Sequence, residues 1–248
     1  HTRLQGDWSS DVCSSDLEGQ IRKDIKENYI PLAIVSTYGT TGTVAFDPIN
    51  EICLLAKKYK VWHHVDAAYA GSVLFLDEFK DDLNNIKYAD SFIFNPHKWM
   101  LTNFDCSLYY VKDKSRLIQT LEIHPEYLKT SISNINNYKD WSLQLGRRFR
   151  ALKLWFVIRS YGIDGIKKYL KNHIELAKEL SNKISDTKDF ELTTKQNINM
   201  INFRFNPEKI SKIKDLNTLN KKLVKRLNKT GDRKSTRLNS SHLVISYA

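Results

Sequence analysis

His64-Val65-Asp66-Ala67-Ala68-Tyr69-Ala70-Gly71 opens the stretch that organises this chain, and Ser91-Phe92-Ile93-Phe94-Asn95-Pro96-His97-Lys98-Trp99 closes it. Each half reads as a short apolar strand that ends in a chemically capable residue. Val61–Val65 delivers Asp66, and Ser91–Phe94 delivers His97 and Lys98. In an open parallel sheet, ligands sit at the carboxyl ends of the strands. A carboxylate and an amine from two such strands can therefore converge on one pocket. Taken singly, an aspartate after a strand is most often a helix cap and a lysine most often a solvated surface group. The pair carries more information than either residue.

The elements on either side predict an α/β sheet. Pro31–Thr37 is a short, β-branched apolar run and reads as a buried strand. Tyr38–Thr43 follows as a Gly/Thr loop at its carboxyl end, where backbone N–H and hydroxyl groups can face a ligand or simply form a turn. Asp47-Pro48 opens a helix, with Asp47 as the expected cap and Pro48 in the first turn. Ile49, Ile52, Cys53 and Ala56 give that helix its apolar stripe, and Lys57–Lys60 end it. Strand, helix and strand in this order form a parallel βαβ unit. Gly71–Asp90 reads as mixed loop and helix, and Cys106–Val111 as a further strand.

Beyond it, Leu117–Asn137 has weak periodicity and many polar residues, as active-site lids often do. Gly146–Arg150 starts a strongly amphipathic helix with Leu152, Trp155, Phe156 and Ile158, which Gly162 and Gly165 are expected to break. Ile166–Ile184 reads as another helix, Phe190–Thr194 and Met200–Phe205 as strands, and Leu216–Leu227 as a helix. This last part has the look of a small α+β domain.

Composition narrows the function classes. The chain has 248 residues and a formal net charge of +11, with the excess concentrated after Lys167. The lysines there interleave with acids at helical spacing, as in Glu175, Lys178 and Glu179, so a solvated helix face is favoured over a nucleic-acid or membrane surface. Two scattered cysteines in the body, Cys53 and Cys106, make neither a disulfide framework nor a metal site, and fit a reducing cytoplasm. No uncharged apolar run reaches the roughly 18 residues that span a membrane.

The two ends differ from the body. His1–Leu17 and Asp232–Ala248 resemble conceptual translations of a sequencing-library adapter. The two can be encoded by DNA strands that are reverse complements over their overlap, even where Leu4-Gln5-Gly6 faces Leu243-Val244. They are expected to be non-native and are set aside from fold reasoning. Their basic residues (Arg3, Arg233, Lys234, Arg237) and acidic residues (Asp7, Asp11, Asp16, Asp232) balance, so the body keeps the same net charge. The expected organisation is tail 1–17, a partial large domain 18–145, a connecting helix with a partial small domain 146–231, and tail 232–248.

The strings HVDAAYAG (His64–Gly71) and NPHKW (Asn95–Trp99), in this order and preceded by GTT (Gly39–Thr41), resemble the group II pyridoxal-phosphate-dependent decarboxylases, the aromatic L-amino acid and tyrosine decarboxylase family. The chemistry agrees, because pyridoxal phosphate (PLP) needs a lysine for its Schiff base and a carboxylate to keep its pyridine nitrogen protonated. The resemblance implies a PLP type I fold, with a mostly parallel sheet in a large domain and a smaller carboxyl-terminal domain. It implies an obligate cytoplasmic homodimer, an amino-acid substrate with aromatic residues the family default, and no metal, nucleic acid or membrane. By motif position, Lys98 carries the cofactor, Asp66 pairs with the pyridine nitrogen, and Ala68 packs on the ring. Thr41, Asn95 and His97 lie near the cofactor, the last two by its phosphate.

Within the string His124-Pro125-Glu126-Tyr127-Leu128-Lys129, Tyr127 takes the position of the lid tyrosine that protonates Cα. A phenylalanine there would resemble the aldehyde synthases of the same family. The segment between Lys129 and Leu145 is a few residues shorter than in the animal enzymes. The phosphate cup, the ring-stacking histidine and much of the substrate pocket are expected upstream of Glu18, so the 248-residue chain is expected to bind PLP weakly. Other readings are a different type I PLP reaction, aldehyde synthesis or transamination, and a non-catalytic basic binding protein on the same fold.

Overall fold

In the computed structural model, the described residues are 14–122, 138–207, 213–229, 236–237 and 243–246. The first sheet grows from alternating residues. In β1 (Ala33–Thr37), Ile34 and Ser36 point inward while Val35 stays 64% exposed. The run reads in sequence as a buried strand. Among the described residues, one of its faces is covered, by α2 (Ile49–Tyr59), whose Ile52 and Ala56 join Ile34 and Val61 in a core cluster. α1 (Ser14–Lys26), which begins inside the stretch read as a tail, adds Leu17 and Ile21 to the same cluster.

β2 (Trp62–Asp66) pairs in parallel with β1, and β3 (Ser91–Phe94) pairs in parallel with β2. Between β2 and β3 lie two short 3₁₀ turns and α3 (Lys80–Ile86). β4 (Leu108–Val111), reached through the one-turn helix α4 (Pro96–Trp99), closes the sheet as an antiparallel edge. The order β1-β2-β3-β4 is thus mostly parallel, as expected. β4 starts two residues later than the apolar run suggested, because the backbone of Cys106 is engaged by His97.

After α5 (Lys114–Leu121), the long helix α6 (Arg150–Ser185) crosses back to the first sheet. Gly162 kinks it with φ 64° and ψ 171°, a conformation that glycine adopts without steric cost. Gly165, expected as a second break, stays helical. Past the kink, Ile166 and Leu170 are fully buried in the main core with Val65, Ala70, Val73 and Trp99. Burial of each such side chain contributes about 2 kcal/mol. Before the kink, Trp155 and Phe156 stand more than half exposed, so the amphipathic stripe forms but is not covered by the described residues.

A second, antiparallel sheet has the order β5-β6-β8-β7, formed by β5 (Phe190–Leu192), β6 (Met200–Phe205), β7 (Thr236–Arg237) and β8 (Leu243–Ser246). Its own core joins Ala177 and Ile184 of α6 to Ile201 and Phe203, with Leu223 and Leu227 of α7 (Ile213–Lys229) against it. Asp47 does not cap α2. Its Oδ2 accepts the Thr37 N–H at 2.6 Å, which pins the end of β1, and the residue preceding α2 is Pro48.

Candidate functional site

Strand register brings the sequence-predicted residues to one edge. Thr37 faces Asp66, and Asp66 faces Ile93, so β1, β2 and β3 end together. The backbone continues the ladder past the strands. Ala67 N–H donates to Ile93 O at 2.9 Å, and Asn95 N–H donates to Ala68 O at 3.1 Å. Ala68, two residues past Asp66, therefore lies beside Asn95, from which the chain runs on to His97 and Lys98. Asp66 Oδ1 accepts the Ala68 N–H at 3.0 Å, which folds the carboxylate back over its own turn.

Two glycines let these turns close. At Gly71 a Cβ would lie 2.3 Å from Phe94 Cβ, so the turn after Asp66 rests directly on β3. At Gly39, with φ +88°, a Cβ would lie 2.4 Å from Ala70 Cβ, so the Thr41 loop rests on the same turn. Tyr38 N–H donates to Asp66 O at 2.8 Å and fixes the start of that loop beside Asp66. Thr41 itself is exposed at the loop tip. Tyr127 lies outside the described residues.

Pro96 opens α4 in the position where a missing N–H costs nothing, and Lys98 N–H donates to Asn95 O at 2.9 Å. Lys98 is exposed while Trp99 beside it is fully buried. His97 is held by Cys106: the backbone N–H lies 2.9 Å and the carbonyl 2.6 Å from Nδ1, and the tautomer decides which bond forms. Asn95 Oδ1 is buried and has no hydrogen-bond partner among the described residues.

Two histidines behind the site are structural. His64 Nδ1 lies 2.8 Å from Ser91 Oγ, which also accepts the Trp62 indole N–H at 2.9 Å. The His64 tautomer decides which of the two donates, and the bond ties β2 to β3. Burial lowers the His64 pKa, and the Asp66 carboxylate works against that shift. His63 is buried between Ser36 Oγ, 2.7 Å from Nε2, and Cys53 Sγ, 3.2 Å from Nδ1.

Some positions escaped the sequence reading. Tyr69 and Trp99 sat inside the quoted strings but were not singled out. Their rings stack at 5.5 Å with a 9° interplanar angle, and both are tied to the carboxyl-terminal half, at Asn199 and His173. Nothing local in the sequence marks those two partners. An apolar cavity of about 520 Å³ lies between α3 and β3–β4, lined by Leu74, Phe75, Leu83, Phe92 and Tyr110. It is separate from Asp66 and Lys98. Among the described residues, no group of three or more His, Cys, Asp or Glu could hold a metal, and no helix is long and apolar enough to cross a membrane.

Comparison with known proteins agrees with this geometry. A family model described as the pyridoxal-dependent decarboxylase conserved domain matches residues 4–206. Tyrosine decarboxylase 4 of Petroselinum crispum is 40% identical over 240 residues, covering 94% of this chain and 46% of that protein. A phenylacetaldehyde synthase of Arabidopsis thaliana is 40% identical over 233 residues, covering 93% and 46%. The crystal structure of Oryza sativa TDC with PLP and tryptamine superposes with a TM-score of 0.89 at 32% identity, covering 95% of this chain and 50% of that one. The chain spans about half the length of these relatives. Motif, strand-end geometry and family match lead to one assignment: this chain belongs to the pyridoxal-dependent decarboxylase family.

Proposed function

We propose that the chain is part of a PLP-dependent decarboxylase that converts an aromatic L-amino acid to its amine and carbon dioxide. The single observation that carries the reading is the arrival of Asp66 and Lys98 at the carboxyl ends of adjacent parallel strands. The similarity to a tyrosine decarboxylase and to a TDC structure with PLP and tryptamine supports the aromatic substrate class. A cytoplasmic homodimer belongs to the same proposal.

The residues present fit the cofactor by their donor set. Lys98 is exposed and forms no ion pair among the described residues. Asp66 commits one carboxylate oxygen to its own turn. Asn95 Oδ1 is a buried acceptor without a donor among the described residues. When bound, the cofactor supplies a cationic ring that takes up the electron pair left on Cα as the carboxylate departs. Lys98 holds the cofactor through its amine. Asp66 holds the proton on the pyridine nitrogen, because an anion beside a base favours the base's protonated form. Ala68 offers an apolar face to the ring, Asn95 and His97 bind and orient the phosphate end, and Thr41 lies near the cofactor. Tyr127 delivers the proton to Cα.

An aldehyde-forming reaction is the second reading, favoured by the 40% identity to a phenylacetaldehyde synthase. A tyrosine rather than a phenylalanine at position 127 supports amine release.

The test has two parts. The chain is saturated with PLP, reduced with borohydride and mapped by peptide mass spectrometry. The label is expected on Lys98 and is expected to be lost in Lys98→Ala, whereas a label on another lysine refutes the cofactor assignment. Products are then identified from a longer protein carrying these residues. Amine with carbon dioxide is expected, and aldehyde without amine refutes simple decarboxylation.

A further inference from the structure

Among the described residues, three segments that carry candidate site residues are each tied, a few residues away at most, to the carboxyl-terminal half of the chain. In the Thr41 loop, Val44 O accepts from Asn197 Nδ2 at 2.9 Å. In the turn after Asp66 and Ala68, the Tyr69 hydroxyl donates to Asn199 Oδ1 at 3.0 Å. Next to Lys98, the Trp99 indole N–H donates to His173 Nδ1 at 3.2 Å. The stacked rings of Tyr69 and Trp99 join the last two ties into one unit, and Trp99 and Asn199 are fully buried.

The chemistry of these ties is directional. An indole N–H can only donate, so His173 Nδ1 must accept and the neutral ring carries its proton on Nε2. Tyr169 packs against the His173 ring, with centroids 4.2 Å apart and planes tilted by 52°. α4 has only four residues, and a helix of one turn does not support its own direction. The direction in which α4 presents Lys98 therefore depends on the anchors of its neighbours, His97 on Cys106 on one side and Trp99 on His173 on the other.

We propose that His173 and Asn199 are positioning residues. Through Trp99 and Tyr69 they set the direction of Lys98 and of the Asp66–Ala68 turn. The proposal rests on the assignment of Lys98 and Asp66 to the cofactor. It gives the second half of α6 and the entry to β6 a role in the chemistry of strand ends that they do not themselves form. It also separates two functions of the interface, since Ile166, Leu170 and Ile198 supply the burial while the polar ties supply the aim.

The experiment compares the 248-residue chain with His173→Leu, Tyr69→Phe, His173→Asn and a control, Ile201→Val, in the second core. Asparagine keeps an acceptor near the Nδ1 position, and phenylalanine keeps the stack while removing the donor. Hydrogen exchange is read at the Lys98 and Met100 amides, which bond to Asn95 O at 2.9 Å and Pro96 O at 3.1 Å. The share of borohydride-fixed PLP on Lys98, relative to the other lysines, is read by peptide mapping.

His173→Leu and Tyr69→Phe are expected to speed exchange at those amides about tenfold, the effect of one lost hydrogen bond in a local opening. They are also expected to at least halve the Lys98 share. His173→Asn is expected to restore both readouts, and Ile201→Val to change neither. Exchange in His173→Leu no faster than in Ile201→Val overturns the proposal, as does an unchanged Lys98 share in both loss variants. If the unaltered chain fixes no PLP on Lys98, the cofactor reading falls, and the exchange comparison alone decides the positioning role.

Discussion

Acid should unfold this protein in part through a residue that takes no part in chemistry. His63 is 1% exposed, and its ring bridges Ser36 of β1 and Cys53 of α2. Burial, the largest cause, holds its pKa down at about 4 from an ordinary 6.5. Asp90 pulls upward, and the neighbouring His64 adds to the lowering. A depressed pKa on a base means that the unfolded chain binds the proton more readily than the native one. Stability is therefore fully present above the unfolded value, declines as pH falls from about 6.5 to about 4, and reaches its full loss below that. The loss over the whole window is about 3 kcal/mol, and about 2–3 kcal/mol of it is reached by about pH 4.5.

The assay is urea unfolding at about pH 7.5 and about pH 4.5, for the chain and for His63→Gln, which cannot titrate. Glu18 and Asp105, each held at about 2 by neighbouring cations, are the same in both proteins and cancel in the comparison. His63→Gln should start less stable at neutral pH but lose less on acidification, by about 2–3 kcal/mol. Equal losses in the two proteins would refute the assignment of the acid sensitivity to this ring.

Two further outcomes follow from the packing. Gly71→Ala sets a Cβ 2.3 Å from Phe94 Cβ, an atom that moves only with the β3 backbone, so it should cost about 1–3 kcal/mol; an unfolding midpoint unchanged from that of the unaltered chain would overturn that contact. Cys53 is buried with its thiol pushed up to about 11, so alkylation at about pH 8 should be about a hundredfold slower than in urea-unfolded chain; equal rates would mean that α2 does not cover it.

The residues around Asp66 and Lys98 were legible because their information is local. A strand announces itself by alternation or by a short apolar run, and Ser91–Phe94 was read with the bounds it has in the structure. The order of strands and helices then demanded a parallel pairing, which puts Asp66 and Lys98 at one edge. The kink at Gly162 was legible for the same reason, since the cue is a single residue's backbone freedom.

Other features depend on partners distant in the chain, and no local pattern encodes those. Asp47 looked like a helix cap because caps are local; Thr37, ten residues earlier, offered its N–H instead. Gly165 looked like a break and stayed helical, since the cost of one glycine is small beside the burial of Ile166 and Leu170 that follow it. The residues that hold Trp99 and Tyr69 are 74 and 130 positions away. By itself, the sequence determined which groups are delivered to the strand ends and what chemistry they suit. The tertiary structure alone decided which faces are covered and which side chains aim those groups, because a hydrogen bond across the core needs both partners already in place.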